Sequence, residues 1–422
     1  MTADHADLIA AARTRPDAAD VADFRDFATI PAMLAARLAD RPDQEALVHL
    51  DEHDGREAWT YAELADRTAR VAGFLSDAGV ARGDRIATVA HNHPDTVVQY
   101  LAAWSLGAVV VPVNVGEDDE RIVYILDNSR VKLAFVRGEY LERVAGLRDQ
   151  LPGLVAVVGC GATSDGHPSF ADALAHAPAP DLAADPDDDA LIVYTSGTTG
   201  HPKGVVLTQS NLLVDAAGIA RWHGLAPGER MMCVLPIHHV NGTVVTLVTP
   251  LAYGGTAVLC RKFSTDRFLP LLAEERIGVV SVVPTLLSFL LQGGATTEGL
   301  DLSVFRHIIC GAGPLTVELA LQFQDALGLR IVHGYGLSET TCYSCFLPID
   351  LDNDVHRSWL GDHGFPSIGC AIPSNDMDIH DAEGNHVPAG ERGEIVIRGH
   401  NVMTGYFQND EANADAFAHR WF

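Results

Sequence analysis

Between Tyr194 and Gly204 the chain reads Y-T-S-G-T-T-G-H-P-K-G, and the residue types crowded there are those that hold a polyphosphate. Four hydroxyls (Thr195, Ser196, Thr198, Thr199), two glycines three apart (Gly197, Gly200) and one amine (Lys203) follow directly on the apolar run Ala190-Leu191-Ile192-Val193. A triphosphate carries several negative charges and many acceptor oxygens. Its holder therefore needs inward-turning backbone N–H groups, side-chain donors and a cation. Glycine permits positive φ and close approach, hydroxyls add donors without charge, and Lys203 supplies a point charge. The order differs from G-x-x-x-x-G-K-[ST], because the lysine follows a proline and no helix-starting Ser or Thr comes after it; an ATPase of that class is disfavoured. A Ser/Thr/Gly-rich surface turn is the plain alternative, but it rarely combines this donor density with a Pro-Lys-Gly end. Only three of the 29 basic residues are lysines, Lys132, Lys203 and Lys262, and one of them is kept here.

Three later stretches carry further chemistry. Leu235 to Gly242 reads L-P-I-H-H-V-N-G and sets two imidazoles, His238 and His239, side by side. Cys310 to Leu315 reads C-G-A-G-P-L, a glycine turn that exposes backbone N–H and C=O groups to a planar ligand and on its own could be no more than a turn. His333 to Thr340 reads H-G-Y-G-L-S-E-T. Tyr335 between two glycines suits a flat ring lying against a base, Ser338 can donate to a phosphate, and Glu339 is a hard oxygen ligand for magnesium. Against these stand simpler roles: a structural histidine, and a Glu339 that only caps a helix start.

Taken in this order, the four stretches resemble the motifs of the adenylate-forming superfamily, which includes acyl- and aryl-CoA ligases, adenylation domains of peptide synthetases and beetle luciferases. The resemblance runs from roughly residue 24 to the last residue. It implies that Thr195, Ser196, Gly197, Thr198, Thr199, Gly200 and Lys203 hold the outer phosphates of ATP. Gly311, Ala312, Gly313, Pro314, His333, Gly334, Tyr335, Gly336 and Ser338 would then hold the adenine side and the α-phosphate. It places Lys203, Ser338, Glu339 and His239 in the chemistry, Mg2+ on Glu339, and the acid pocket at His239, Asn241, Gly242, Thr243 and Gly313. These pocket residues are small or polar and point to a compact acid or a narrow slot. His238 stands where the family usually has Phe, and Ser338 where it more often has Thr, which preserves the hydroxyl. No Asp lies between His239 and Thr243 to pair with a substrate amine, which argues against an α-amino acid.

The implied reaction activates a small carboxylic acid with ATP to an acyl adenylate, releases pyrophosphate, and passes the acyl group to a thiol, CoA first among the choices. Transfer to a carrier-protein phosphopantetheine remains open at this stage, as does a non-catalytic nucleotide-binding module that uses the fold for regulation. Gly390-Glu391-Arg392-Gly393-Glu394-Ile395 and Asn401-Val402-Met403-Thr404-Gly405-Tyr406 resemble a late family motif of mainly structural role. The family continues with a Thr-Gly-Asp and a mobile domain, so the expectation is a large N-terminal domain whose turnover is largely lost without that domain.

The elements that must position these groups follow from composition and periodicity. At 422 residues and 47% hydrophobic the chain can bury a large core in two or three subdomains. A formal charge of -27 argues against nucleic acid and anionic membrane as partners. Seven scattered cysteines fit reduced thiols in a cytoplasm, and Cys342-x-x-Cys345 has no second pair nearby. The N-terminus lacks the basic start and apolar core of a signal peptide, and the apolar run Ile277 to Leu291 is broken by Pro284. Thr60 and Glu63 predict a capping box, and strands alternate with helices from Arg85 to Val136 and again from Met231 to His333. That rhythm gives the expected α/β class: two doubly wound, mainly parallel sheets covered by helices, with motifs at the carboxyl ends of strands. From Pro348 glycines break the chain into short segments that read as a small antiparallel barrel-like unit. The expected divisions are 24–185, 186–345 and 346–422.

Overall fold

Apolar β-branched runs between turn residues become strands here, and the longer amphipathic or wholly apolar stretches between them become the covering helices. The structure is a computed structural model that describes residues 3–16, 20–53, 55–161, 166–179, 184–195 and 201–422. Its strands are β1 (Glu45–Leu50), β2 (Arg56–Thr60), β3 (Arg85–Val89), β4 (Val109–Val113), β5 (Val131–Arg137) and β6 (Ala156–Cys160). There follow β7 (Asp189–Thr195), β8 (Lys203–Thr208), β9 (Arg230–Cys233), β10 (Thr256–Cys260), β11 (Val279–Val282) and β12 (His307–Cys310). The last are β13 (Ile331–Tyr335), β14 (Cys345–Phe346), β15 (Cys370–Ala371), β16 (Asn375–His380), β17 (Glu394–Gly399) and β18 (Gly405–Tyr406).

Two large sheets result. The nine-stranded sheet runs β15-β14-β13-β12-β11-β9-β10-β1-β2, and the seven-stranded sheet runs β18-β8-β7-β4-β3-β5-β6. Pairing is parallel from β13 to β1 in the first and from β7 to β6 in the second; antiparallel strands are confined to the edges. Every residue of β4 and of β10 is buried, as strands covered on both faces must be. The helix Pro94–Ser105 packs on β3 and β4 of one sheet and on β1 of the other, and every residue of it but Asp95 is buried, as that double contact requires. Trp104 Nε1 donates to the Ala190 carbonyl at 2.7 Å, and Gln209 Nε2 donates back to the Trp104 carbonyl at 2.7 Å, tying that helix to the next buried one, Gln209–Trp222. The Thr60/Glu63 capping box forms, with Thr60 N–H on Glu63 Oε2 at 2.8 Å and Glu63 N–H on Thr60 Oγ1 at 3.2 Å.

Lys203 opens a strand, so the phosphate-type loop joins β7 and β8 as an antiparallel hairpin. Three features differ from the sequence expectation. The division at 185/186 does not fall between sheets: β1 and β2 lie in the nine-stranded sheet, whereas β7 and β8 lie in the seven-stranded one. Val240 to Leu251 is not a regular α-helix; Asn241–Val248 is π-helical and only Thr249–Tyr253 is α, with Thr246 and Thr249 hydroxyls bonded back to the Gly242 and Val244 carbonyls. After Pro348 the antiparallel chain forms a two-stranded ribbon, β16–β17, while β15 and β18 extend the edges of the large sheets; among the described residues no closed barrel forms. Arg15, just past the helix Ala3–Ala12, ion-pairs with Asp376 at 2.9 Å, and Arg398 meets the same carboxylate at 3.1 Å, so the N-terminal segment straps the ribbon down. No helix among the described residues is long and apolar enough to cross a membrane.

Candidate active site

The carboxyl ends of β11, β12 and β13 and the open end of the β7–β8 hairpin converge on one cavity of about 1110 Å³. Thr195 and Lys203 face each other across the hairpin mouth and both line it. Thr195 Oγ1 donates to the Lys203 carbonyl at 3.5 Å, and the Lys203 ammonium lies 4.3 Å from the ring centre of Tyr406. The strand before the loop is anchored by Tyr194, whose hydroxyl donates to Asn128 Oδ1 at 2.6 Å; two residues ahead of β8, His201 stacks on Tyr124 at 4.4 Å and 13°. The five residues between, Ser196, Gly197, Thr198, Thr199 and Gly200, lie outside the described residues.

At the end of β12, Ala312, Gly313 and Pro314 line the cavity, and Ala312 holds the left-handed conformation with φ 57°. Gly311 sits beneath them. A Cβ there would meet the Tyr343 hydroxyl at 2.6 Å and the Gly334 carbonyl at 2.7 Å, so close packing of strand on strand demands glycine. At the end of β13, His333, Gly334, Tyr335, Gly336, Ser338 and Glu339 all face the cavity. His333 Nδ1 donates to the Ser367 carbonyl at 2.8 Å, which fixes its tautomer, and burial lowers its pKa below the usual imidazole value.

The turn that carries Ser338 and Glu339 is braced from behind. Thr341 has φ 67° and ψ -46°, with the Cys342 N–H closing a γ-turn onto the Thr340 carbonyl at 2.8 Å. A non-glycine residue holds that conformation only where its surroundings over-determine it. Here Thr341 Oγ1 donates to the Asn401 carbonyl at 2.6 Å, and Asn401 Nδ2 donates to the Thr340 carbonyl at 3.2 Å. Met403 N–H donates to the Glu339 carbonyl at 2.8 Å, and the Tyr406 hydroxyl donates to Glu339 Oε1 at 2.8 Å. Beneath lies Asp215, wholly buried, which faces the Tyr343 N–H and Asn401 Nδ2, each at 3.5 Å; burial pushes its pKa well above the usual carboxylate range.

On the opposite wall His239 and Asn241 line the cavity. His239 opens onto it, yet the enclosing walls lower its pKa, partly offset by the charge of Glu117, so a neutral imidazole faces the space. Asn241 Nδ2 donates to the Tyr343 hydroxyl at 3.3 Å, while its Oδ1 is buried without a partner among the described residues. Gly242 and Thr243, expected in the pocket, lie behind this wall. The Thr243 hydroxyl is taken by the Ile237 carbonyl, and a Cβ on Gly242 would stand 2.3 Å from the Pro236 carbonyl. His238 also turns away, against His239 at 4.4 Å, with its pKa lowered by burial to about 3.

Among the described residues no group of three or more His, Cys, Asp or Glu could hold a metal ion. Glu339 supplies a single carboxylate facing the cavity, with Oε2 unpartnered among the described residues. That fits a magnesium ion, which is held by one or two carboxylates together with substrate phosphates and water. Tyr406, Asn401, Tyr343 and Asp215 escaped the sequence reading as site residues, since their contacts return from distant parts of the chain; the late motif from Asn401 to Tyr406 was the local signal for two of them.

The sequence matches the AMP-binding enzyme family over residues 34–407. It is 34% identical over 370 residues to a feruloyl-CoA synthase of an Amycolatopsis species, covering 87% of this chain and 70% of that protein. It is 31% identical to the sulfoacetate–CoA ligase of Cupriavidus necator, covering 97% and 75%. Among solved structures, the inhibitor-bound N-terminal domain of FACL13 from Mycobacterium tuberculosis superposes with a TM-score of 0.81 at 28% identity, covering 94% of this chain and 95% of that one. The match takes in every strand of both sheets and every wall of the cavity, and on that ground the chain belongs to the AMP-binding enzymes, the adenylate-forming superfamily.

Proposed function

We propose that this chain carries the acid-activating site of an AMP-forming acid–CoA ligase and that its acid is a compact monocarboxylate. The observation that carries the reading is the convergence of Lys203, Tyr335, Ser338 and Glu339 on one cavity whose opposite wall is a neutral imidazole and an amide. Lys203 and the loop before it hold the outer phosphates of ATP, Tyr335 lies against the adenine, and Ser338 donates to the α-phosphate. His239 and Asn241 hold the acid with one carboxylate oxygen towards the α-phosphorus. That oxygen forms the new P–O bond as the bond to the β-phosphate bridge breaks, and pyrophosphate leaves with the electron pair. Magnesium held at Glu339 would offset charge on the phosphates. In the second half a thiolate sulfur attacks the acyl carbon and AMP leaves; relatives named as CoA ligases support CoA as the thiol.

Lys203 is the only Lys or Arg lining the cavity among the described residues, so an acid with a second full charge finds no partner at the far wall. The seven unpaired cysteines, six of them buried, suit the cytoplasm. The test is acid-dependent exchange of pyrophosphate into ATP across a panel of monocarboxylic, dicarboxylic and amino acids. We expect exchange with compact monocarboxylates, lost about 100-fold or more in Lys203→Ala, in line with the removal of one preorganised charge-stabilising group. Exchange that is independent of any acid, or unchanged in Lys203→Ala, would refute the reading.

A further inference from the structure

Tyr406 connects the two charged ends of this cavity, and the reaction set out above gives it no task. It stands in β18, paired antiparallel with β8, its N–H held by Asn413 Oδ1 at 2.7 Å and its side chain 7% exposed. The ring lies 4.3 Å from the Lys203 ammonium, and the hydroxyl donates to Glu339 Oε1 at 2.8 Å. Its neighbours repeat the connection through the backbone: Phe407 N–H to the Gly204 carbonyl at 2.7 Å, and Met403 N–H to the Glu339 carbonyl at 2.8 Å. Lys203 and Glu339 make no ion pair with each other, although both reach the same side chain.

We infer that Tyr406 is a positioning residue with two separable duties: its ring keeps the Lys203 ammonium turned to the phosphates, and its hydroxyl occupies Glu339 Oε1 so that Oε2 faces a cation carried by ATP. The inference rests on the proposed binding of ATP in this cavity. A lysine on a flexible four-carbon stem and a nearby carboxylate tend to neutralise one another, which would withdraw both from a ligand. A ring between them prevents this because its face attracts the ammonium while its hydroxyl satisfies one carboxylate oxygen. The rigidity comes from β18, which is fixed to β8 on one side and to the turn at Glu339 on the other.

The two duties separate by substitution. Tyr406→Phe keeps the ring and loses the hydroxyl; Tyr406→Leu loses both. ATP dissociation constants measured by calorimetry on the whole chain, once with a chelator and once with Mg2+, distinguish them, and the thermal midpoint reports folding. For Tyr406→Phe we expect metal-free affinity within about twofold of wild type and a Mg2+-dependent gain reduced by roughly tenfold, the weight of a hydrogen bond to a charged group. For Tyr406→Leu we expect metal-free affinity to fall about threefold or more as well, the weight of a cation–π contact to a half-buried lysine. A Tyr406→Phe protein with a wild-type Mg2+ response overturns the inference, as does one that loses metal-free affinity as far as Tyr406→Leu. Wild-type chain that binds no ATP under either condition removes the proposed function and this inference together; binding with an unaltered Tyr406→Phe removes the inference alone.

Discussion

Asp215 is a carboxyl group with no surface exposure, set under the turn that presents Ser338 and Glu339. Burial raises its folded-state pKa well above the unfolded value. As pH rises past about 3.9 the unfolded chain releases this proton while the folded chain keeps it, so Asp215 lowers folding stability with rising pH until its folded pKa is passed. Asp215→Asn removes that dependence and keeps the shape. We expect its stability relative to wild type to increase steadily from pH 4 upward, by about 1.4 kcal/mol per unit of pKa shift removed, as read from urea unfolding at several pH values. A constant difference across that range would show that the group titrates as it does in the unfolded chain. Nothing near residue 215 in sequence signals this role, because its partners Tyr343 and Asn401 lie far along the chain. Lys203, Tyr335 and Glu339, which line one cavity, were legible as candidates for the opposite reason: their immediate neighbours are of fitting type.

At the level of elements, the turn between β13 and β14 has little freedom. A Cβ on Gly336 would stand 1.8 Å from the Cys342 carbonyl, so backbone, not a pliant side chain, blocks it. We expect Gly336→Ala to lose about 1–3 kcal/mol of stability, as overpacking does, and to weaken ATP binding along with it because Tyr335 and Glu339 flank the displaced residue. Paired chemical denaturation and nucleotide titration check both effects; a loss of stability with intact nucleotide affinity would mean that the turn yields without moving Tyr335 and Glu339. The parallel strands were readable from sequence because double burial writes itself as unbroken apolar runs, as in Val109–Val113. The β7–β8 hairpin was not: Val205, Val206 and Leu207 form an apolar run that reads equally as the start of the next helix, and only the pairing of Thr195 with Lys203 decides it. The π-helical stretch Asn241–Val248 was hidden too, since its composition is that of any buried helix.

For the molecule as a whole, the ribbon β16–β17 is hydrogen-bonded into neither large sheet, and Arg15 fastens it through Asp376. We expect Arg15→Ala to leave the cavity's nucleotide affinity unchanged while amide hydrogen exchange rises selectively across residues 375–399. Unaltered exchange there would show that Arg15 does not fasten the ribbon, since the Arg398–Asp376 pair lies within it. The alternation of strand and helix was enough to read the fold class, but not which sheet each strand joins, because pairing partners are chosen by packing across the whole chain.

That choice of partners also governs how the protein can be made. The β1–β2 hairpin leaves the ribosome early, yet the strand it docks against, β10, is Thr256–Cys260. Until that point has been synthesised, β1 presents an unpaired apolar edge, the kind of surface that recruits chaperones or aggregates, and strand pairing at such sequence separation is slow. Nascent chains halted before residue 256 should therefore stay bound to chaperones, with release beginning only when β10 has emerged.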